Sequence, residues 1–341
     1  MGVEMRRTGG CICAVFSLAV IQAAAVAAPR LYARVVDVGA GLCVVIKLPS
    51  GEHVIYDTGN YVDRGRSCFA AIKALVPASK PIDLLVLSHS DADHVAATPD
   101  IVRRYRVLRA WHPGTRPGPS PSAAWRRALA ALRAESRRGM VDMDLHRTPL
   151  PGGTLYRFGD AAVQVITGYG RPPSRWQLQN ESERNNAGSI VVRVVFDNRA
   201  ILLTGDSVGR NIGDASSACR AAEREVVDRR HQVPIWAQVL TAAHHGADNG
   251  SANCFIKHVA PSWVVFSAGH KHAHPRKAAA LRFLAAGVKA DHILRTDRHD
   301  DEGAKEWSYG RKVGHKDPRG DDDIEIIIEK DKPLRVRYRQ P

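Results

Sequence analysis

Four ionisable side chains that can bind metal are crowded into residues 87–97, LSHSDADHVAA. His89, Asp91, Asp93 and His94 fall within six positions, directly after the apolar run IDLLVL. Buried carboxylates interleaved with imidazoles repel their own kind, and they are tolerated chiefly when a cation lies among them. The cluster therefore predicts a divalent metal site in the loop at the carboxyl end of a strand, which is where layered α/β folds place their ligand sites.

The spacing within this loop predicts two half-sites. His89 and Asp91 are two residues apart and can point to one side of an extended loop, whereas Asp93 and His94 turn to the other. Two ions then need a shared ligand, and Asp206, at the end of ILLTGD, suits that role. A carboxylate-rich donor set moves the preference from zinc toward manganese without deciding between them.

Other histidines also follow predicted strands. His244 and His245 end the run WAQVLTAAHHG, and SWVVFSAGHKHAHP carries His270, His272 and His274. Groups at the carboxyl ends of strands in one layer converge on one edge. We therefore expect these histidines near the metal loop.

The remaining pattern predicts one α/β domain in two similar halves. Apolar runs, alternation and turn residues mark the elements. In chain order we expect three strands as a meander within 31–59, a helix at 69–78, a strand at 81–88, basic helices at 101–111 and 122–139, a strand pair at 152–168, a polar loop at 168–186, strands at 189–196 and 199–206, a helical region at 207–231, a strand at 236–246, a short helix at 255–261, a strand at 262–275, a helix at 276–287, and a hairpin of 322–329 with 334–339.

The chain is strongly basic, with a formal net charge of +14. Such an excess attracts polyanions, and it predicts nucleic acid or another phosphate-rich molecule as the partner. The alternative is an ordinary solvated helix surface. Much of the charge lies on the two basic helices, which carry Arg103, Arg104, Arg106, Arg109, Arg126, Arg127, Arg133, Arg137 and Arg138.

Residues 1–28 have the layout of a cleavable secretory signal, with two arginines, an apolar stretch and small residues ending in AVAAP. The alternative is a single membrane anchor, which the alanine-rich composition and Gln22 make a weak spanning segment. The prediction is a periplasmic or secreted protein without a stable membrane anchor, whose residues 29–341 form the functional domain. The sequence does not decide between disulfides and small buried thiols for the remaining cysteines, Cys43, Cys68, Cys219 and Cys254.

On these motifs the sequence resembles the metallo-β-lactamase fold, specifically the soluble hydrolase domain of the ComEC family of DNA-uptake proteins. The resemblance runs from VVDVGAGLCVVIKLPSGEHVIYDTG through LSHSDADHVAA, NNAGSIVVRVVF, ILLTGD and TAAHHGADNGS to FSAGHKHAHP. It implies a four-layer αββα sandwich. Aspartate at the second ligand position, in place of the HxHxDH of the wider fold, is a feature of the ComEC branch.

The resemblance also implies roles by position. It assigns one metal to His89 and Asp91, the other to Asp93 and His94, and a bridging role to Asp206. The fifth motif matches His244 or His245, with His244 favoured as the ligand. The further expectations are that Asp57 orients the metal loop, that Asp57, Asp93 and His274 are the catalytic residues, and that Asn186, Ser189, His245 and His270 contact substrate.

Two departures from the family pattern bear on these expectations. The third-motif histidine is absent, since NNAGS offers only amides and a hydroxyl, which leaves the first site short of a ligand. Where ComEC relatives commonly read VGQGD, this chain has VGAGL, with Ala40 and Leu42. Substrate contacts at these two positions are therefore not expected.

The leading prediction is an exported phosphodiesterase or nuclease with two divalent ions, acting on DNA. One alternative keeps the metals and hydrolyses a lactam or another ester, such as a phosphocholine ester. Another is a non-catalytic domain that binds polyanions and is stabilised by its metal. The DTG at 57–59 also matches an aspartic-protease triplet, but that chemistry needs a second such carboxylate and the chain has no other DTG or DSG.

Overall fold

The structure is a computed structural model that describes residues 1–2, 28–60, 62–114, 121–146 and 152–340. The predicted signal falls almost entirely on residues 3–27, which lie outside the described residues. Among the helices that are described, none combines the length and apolar character needed to cross a bilayer.

Strands and α-helices contribute similar numbers of residues to the regular structure that is described. In chain order they are β1 Arg30–Val35, β2 Val44–Lys47, β3 His53–Tyr56, β4 Leu84–Val86, β5 Arg109–His112, β6 Val141–Asp144, β7 Leu155–Phe158, β8 Ala161–Thr167, β9 Val191–Phe196, β10 Arg199–Leu203, β11 Val239–Thr241, β12 Trp263–Phe266, β13 Ile293–Arg295, β14 Ile324–Glu329 and β15 Arg335–Tyr338.

The α-helices connect these strands and cover the sheets. They are α1 Arg66–Leu75, α2 Ala92–Val95, α3 Thr98–Arg104, α4 Ala123–Ser136, α5 Glu181–Ala187, α6 Ala221–Asp228, α7 Asn253–Val259 and α8 Lys277–Ala285.

Two sheets repeat one plan. The first has the order β15-β14-β1-β2-β3-β4-β5-β6 and the second β13-β12-β11-β10-β9-β8-β7. In each, an antiparallel meander is extended by parallel strands, β4 to β6 in the first sheet and β11 to β13 in the second. Parallel strands need helical crossovers, and these helices cover the outer faces.

The apolar side chains separate into three main layers. One cluster lies between the sheets and joins, for example, Val44 and Val86 to Val163 and Val192. A second packs the first sheet against α1, α3 and α4. A third packs the second sheet against α6, α7 and α8. The molecule is therefore an αββα sandwich, as the resemblance implied.

Several predicted elements are wrong in detail. The basic segment 101–111 is not one helix, because α3 ends at Arg104 and Arg109 begins β5. The region 207–231 contains α6 only from Ala221, preceded by turns. The predicted polar loop at 168–186 contains most of α5, and β6 and β13 were not predicted.

The cysteines form two disulfides, Cys43–Cys68 and Cys219–Cys254. The first ties the segment before β2 to α1, and the second ties the loop before α6 to α7. The alternative of four buried thiols is therefore wrong. Cys219 and Cys254 are in any case only half-buried.

Parallel strands bring their carboxyl ends to a common edge. In the first sheet β3 leads into Asp57 and β4 into His89. In the second, β10 leads into Asp206 and β11 into His244, with β12 beside them. The two edges meet, and the polar residues of both sheets come together there.

Candidate metal centre

Asp57 organises the loop that follows β4. It is fully buried and has a left-handed φ of 57°. Its Oδ1 accepts a hydrogen bond from the Ser88 backbone N–H (2.6 Å), and its Oδ2 from the Ser88 hydroxyl (2.7 Å). Its Oδ2 also accepts from Nδ1 of His94 (2.8 Å). The carboxylate is thus occupied with orienting the loop, and it contacts His94 on the side away from the centre.

Asp91 lies at the N-cap of α2 but makes no capping hydrogen bond. Its Oδ1 instead accepts from Nδ2 of Asn185 (3.2 Å), and its Oδ2 lies 3.7 Å from Nε2 of His89. An aspartate at this position usually satisfies a helix N–H. Here the carboxylate faces the histidines, so α2 lacks the stabilisation that an N-cap hydrogen bond would provide.

The HHG turn after β11 has an unusual backbone. His244 and His245 have φ values of 52° and 55°, and Gly246 follows at 82°. Such values are uncommon for residues with a Cβ. A Cβ on Gly246 would lie 2.6 Å from the ring of Phe266. The turn therefore depends on Gly246 and directs two successive imidazoles toward Asp206.

Asp206 lies between these histidines, and each of its oxygens faces two of them. Oδ2 lies 3.7 Å from Nε2 of His89 and 3.7 Å from Nε2 of His244. Oδ1 lies 3.2 Å from Nε2 of His94 and 3.6 Å from Nε2 of His245. One buried carboxylate thus separates two pairs of imidazole nitrogens.

Each of the four imidazoles is held in orientation by its other nitrogen. The Nδ1 atoms hydrogen-bond groups outside the cluster, namely Ser88 Oγ for His89 (2.9 Å), Asp57 Oδ2 for His94 (2.8 Å), Asn249 Oδ1 for His244 (2.8 Å) and the Ser267 carbonyl for His245 (2.7 Å). A proton on Nδ1 satisfies every one of these bonds and leaves Nε2 with a lone pair. This arrangement is typical of metal-binding histidines.

The electrostatics of the cluster favour a cation. Burial, and then the charges of Asp93 and Asp206, raise the pKa of Asp91 to about 6. Burial opposes charge on His94, but Asp206 and Asp57 outweigh it and hold the His94 pKa well above its ordinary value. In the metal-free protein a proton on His94 thus supplies positive charge that a metal ion would otherwise supply.

The distances between donors fit coordination. Two ligands at about 2.1 Å from one tetrahedral ion lie about 3.4 Å apart. Nε2 of His94 and Nε2 of His245 are 3.2 Å apart, and Nε2 of His245 is 3.8 Å from Oδ2 of Asp93. The other donor pairs described above lie between 3.2 and 3.7 Å. Oδ1 of Asp206 is buried without a hydrogen-bond donor. The residues therefore fit a metal centre.

His245 was predicted to contact substrate, but the structure groups its Nε2 with Asp93 and His94 as possible ligands of one ion. His244, predicted as the fifth-motif ligand, faces the other oxygen of Asp206. Both histidines therefore face the centre, although the sequence pattern had suggested that only one would do so.

The other predicted contact residues lie in different surroundings. Ser189 is fully buried and its Oγ accepts the backbone N–H of Asp206 (3.0 Å), so it positions Asp206 and is not exposed to substrate. The amide of Asn186 lies between Nε2 of His244 and Oδ2 of Asp91. The ring centroid of His274 is 5.9 Å from that of His244.

His270 is separate from this cluster, and its Nδ1 bonds Asp300 (2.8 Å) beside another cavity. Three positioning residues were missed in the sequence, Ser88, Asn249 and Ser267. Only Ser88 had a recognisable signal, since it directly precedes His89.

Comparisons with known proteins agree with this architecture. Residues 36–184 match the model of the metallo-beta-lactamase superfamily. The chain is 26% identical to competence protein ComA of Neisseria gonorrhoeae over 81% of its length and 32% of that protein. It is 24% identical to ComE operon protein 3 of Bacillus subtilis over 91% of its length and 37% of that protein. The chain thus spans about a third of the length of these relatives.

Among solved structures, the metallo-beta-lactamase fold protein YhfI from Bacillus subtilis matches 78% of this chain and 95% of its own, at 10% identity and a TM-score of 0.46. The family match runs from the residue after β1 into α5, so it includes β7 and β8 of the second sheet. The strands β9 to β13 lie beyond the match and complete the second sheet, with Asp206 following β10 and His244 following β11. The chain therefore has the metallo-beta-lactamase fold, its residues 36–184 match the model of that superfamily, and it is similar in sequence to the competence proteins.

Proposed function

We propose that the protein is an exported phosphodiesterase that hydrolyses DNA with two divalent metal ions. The observation that carries this proposal is the position of Asp206, whose two carboxylate oxygens each face a separate group of imidazole and carboxylate donors. A bridging carboxylate is the shared ligand that a two-metal centre needs.

The donors divide into two sets of equal composition. The first site would use His89, Asp91, His244 and Oδ2 of Asp206, and the second would use Asp93, His94, His245 and Oδ1 of Asp206. In this allocation His244 supplies the ligand that the absent third-motif histidine would have provided. Two nitrogens and two carboxylate oxygens at each site suit zinc or manganese.

The bound ions would supply the Lewis acidity that displacement at phosphorus requires. The protein's own residues position the centre. Asp57 fixes the imidazole of His94, Ser189 holds the backbone of Asp206, and Asn185 and Asn186 orient Asp91. His274 lies beside His244 and His245, from where its imidazole can hydrogen-bond a substrate oxygen.

A phosphate-bearing substrate is supported by the charge of the chain, which is +14. Exposed arginines on α4, such as Arg126 and Arg127, lie in the half of the helix nearer the metal edge, which is the edge of the sheets that carries the candidate metal centre. The similarity to competence proteins favours DNA among the phosphate-rich molecules. An exported location is supported by the two disulfides, which persist in oxidising compartments.

The test is hydrolysis by protein stripped of metal and refilled separately with manganese or zinc. The substrates are single- and double-stranded DNA, bis-p-nitrophenyl phosphate and the lactam nitrocefin. We expect metal-dependent cleavage of DNA and of the diester, lost in Asp206→Ala and retained in Asp228→Ala, which removes an exposed carboxylate of α6.

Cleavage of nitrocefin alone would replace the proposal with a lactamase. A second negative outcome is DNA binding without turnover of any substrate, with EDTA lowering only the melting temperature. That result would instead support a structural metal in a polyanion-binding domain.

A further inference from the structure

A cavity of about 630 Å³ lies next to the metal centre and is not accounted for by the residues discussed so far. It opens between the loop after β1, the start of α1, the turn after β12 and the loop before β14. Its lining includes the predicted substrate contact His270 and four cationic side chains, Arg66, Lys271, Lys316 and Arg319.

The walls of this cavity are tied to one another. A Cβ on Gly269 would lie 2.3 Å from the carbonyl carbon of Gly39, so the two backbones are in direct contact. Asp300 accepts hydrogen bonds from Nδ1 of His270 (2.8 Å) and from the backbone N–H of Asp317 (2.9 Å). The turn after β12 and the loop before β14 are therefore fixed relative to each other, and the cavity is preformed.

One loop separates the cavity from the metal ligands. Gly39 and Ala40 line the cavity, and Leu42, two residues further on, donates its backbone N–H to the carbonyl of Asp93 (3.2 Å). The carbonyl of Gly41 accepts from Ser267, whose own carbonyl holds His245. A substrate strand in the cavity would thus reach the centre across this loop.

The carboxylates of the lining do not cancel its cations. Both oxygens of Asp37 accept backbone N–H groups, from Gly39 and from the segment at 320–321, and Asp63 accepts three hydrogen bonds from the start of α1. Burial, followed by the charge of Asp37, raises the pKa of Asp317 to about 8, which leaves that carboxyl largely neutral at neutral pH. The lining thus has four cationic side chains against three carboxyl groups, one of them largely protonated, and its net charge is positive.

We propose, as a step that rests on the proposed function, that this cavity is a subsite for the sugar–phosphate backbone of single-stranded nucleic acid. The bound strand would lead from the cavity into the metal centre. The cationic side chains come from three segments of the lining, the start of α1, the turn after β12 and the loop before β14, and can contact successive phosphates of one strand. The volume is in the range of pockets that enclose small ligands, and it accommodates a segment of one strand and not a duplex.

The experiment measures binding of a fluorescently labelled single-stranded oligonucleotide to the full chain in EDTA, where hydrolysis cannot interfere. We expect Lys316→Gln/Arg319→Gln to weaken binding at least tenfold at about 0.1 M salt. The slope of log affinity against log salt should fall by about 1.4, since each lost phosphate contact contributes about 0.7. Arg66→Gln, at the start of α1, should reduce the slope by about half as much.

The matched control is Arg133→Gln/Arg137→Gln, which removes the same charge from the end of α4. It should leave the affinity and slope close to those of the unaltered protein. The subsite would be refuted by equal losses in the two double variants, by no loss in the cavity variants, by absent binding, or by equally tight binding of duplex. Hydrolysis of bis-p-nitrophenyl phosphate by the unaltered protein tests the proposed function separately.

Discussion

His244 and His245 are neighbours in the chain, yet their imidazoles face different oxygens of Asp206. If each belongs to a different site, then His244→Ala and His245→Ala should each reduce bound metal from two ions per chain to about one. Metal content after equilibrium dialysis checks this. His231→Ala, which removes an exposed histidine, should retain both ions. Two ions in His244→Ala would contradict the proposed allocation.

Asp57 acts through its neighbours. Asp57→Asn replaces one carboxylate oxygen by an N–H₂ group, which is a hydrogen-bond donor. In one orientation this group would face the Ser88 N–H, and in the other it would face Ser88 Oγ and Nδ1 of His94. All of these groups are donors to Asp57, so at least one hydrogen bond is lost. Loss of such an orienting partner typically lowers metal affinity about 10–100-fold. We expect a decrease of this size in a chelator competition titration. Asp100→Asn, at a half-buried surface ion pair, should show wild-type affinity. Unchanged affinity in Asp57→Asn would contradict the orienting role.

Some of these residue-scale features could be predicted from sequence and others could not. The cluster at 89–94 and Asp206 stand out because their chemistry makes little sense without a cation. His244 and His245 face different oxygens of Asp206 because both residues have a left-handed backbone conformation, which residue type does not indicate. Ser189 was misread for a different reason, since its burial and the hydrogen bond that its Oγ accepts from the backbone N–H of Asp206 become visible only in the folded structure.

At the scale of elements, long periodic segments were predictable and short ones were not. The strands leading into His89 and Asp206 were recognisable from their apolar runs. The segment 101–111 was predicted as one helix because no glycine or proline separates α3 from β5. The three-residue strand β13 falls in ILR, too short for a periodic signal. Tertiary pairing with β12 determines it.

Glu223 connects α6 to the segment that follows the HHG turn. It is fully buried and accepts the backbone N–H groups of Ser251 (2.6 Å) and Ala252 (2.7 Å). Burial raises its pKa from 4.5 to about 7 in the folded protein. The folded state therefore holds a proton that the unfolded state releases between these values, so this group makes stability fall as pH rises through that window.

Glu223→Gln should flatten the dependence of unfolding free energy on pH over that window. Its amide N–H₂ would also face a backbone N–H, which should lower the free energy of unfolding by about 1–3 kcal/mol. Urea unfolding of metal-free protein at several pH values measures both effects. Asp228→Asn, on the exposed face of the same helix, should keep the wild-type pH dependence. If the free energy of unfolding fell as steeply with pH in Glu223→Gln as in wild type, the pH dependence could not be assigned to Glu223.

At the scale of the whole molecule, the basic charge is spread unevenly relative to the metal edge. Because β5 and β6 are parallel, the helix α4 between them runs back from the carboxyl edge, and its Arg133 and the following Arg137 lie at the far end. Arg109 packs over the ring of Tyr156 and is not on a helix. The basic composition was evident in the sequence, but the positions of the basic residues relative to the metal edge follow only from the topology.

Each half of the sandwich contains one disulfide, Cys43–Cys68 in the first and Cys219–Cys254 in the second. They close segments with sequence separations of 25 and 35 residues, and loops of this length typically contribute about 2–4 kcal/mol each. We expect a reducing agent to lower the melting temperature of the metal-free protein. A variant with all four cysteines replaced by alanine should melt at the lower temperature with or without reductant.

Comparison of two double variants separates the halves of the molecule. Cys43→Ala/Cys68→Ala should retain sensitivity to reductant through the second disulfide, and Cys219→Ala/Cys254→Ala should retain it through the first. Thiol titration of protein directed to the periplasm should find no free thiols at these four positions, whereas protein made in a reducing cytosol should expose them on unfolding. Free thiols in the periplasmic protein, with a melting temperature indifferent to reductant, would argue against both disulfides and remove their support for export.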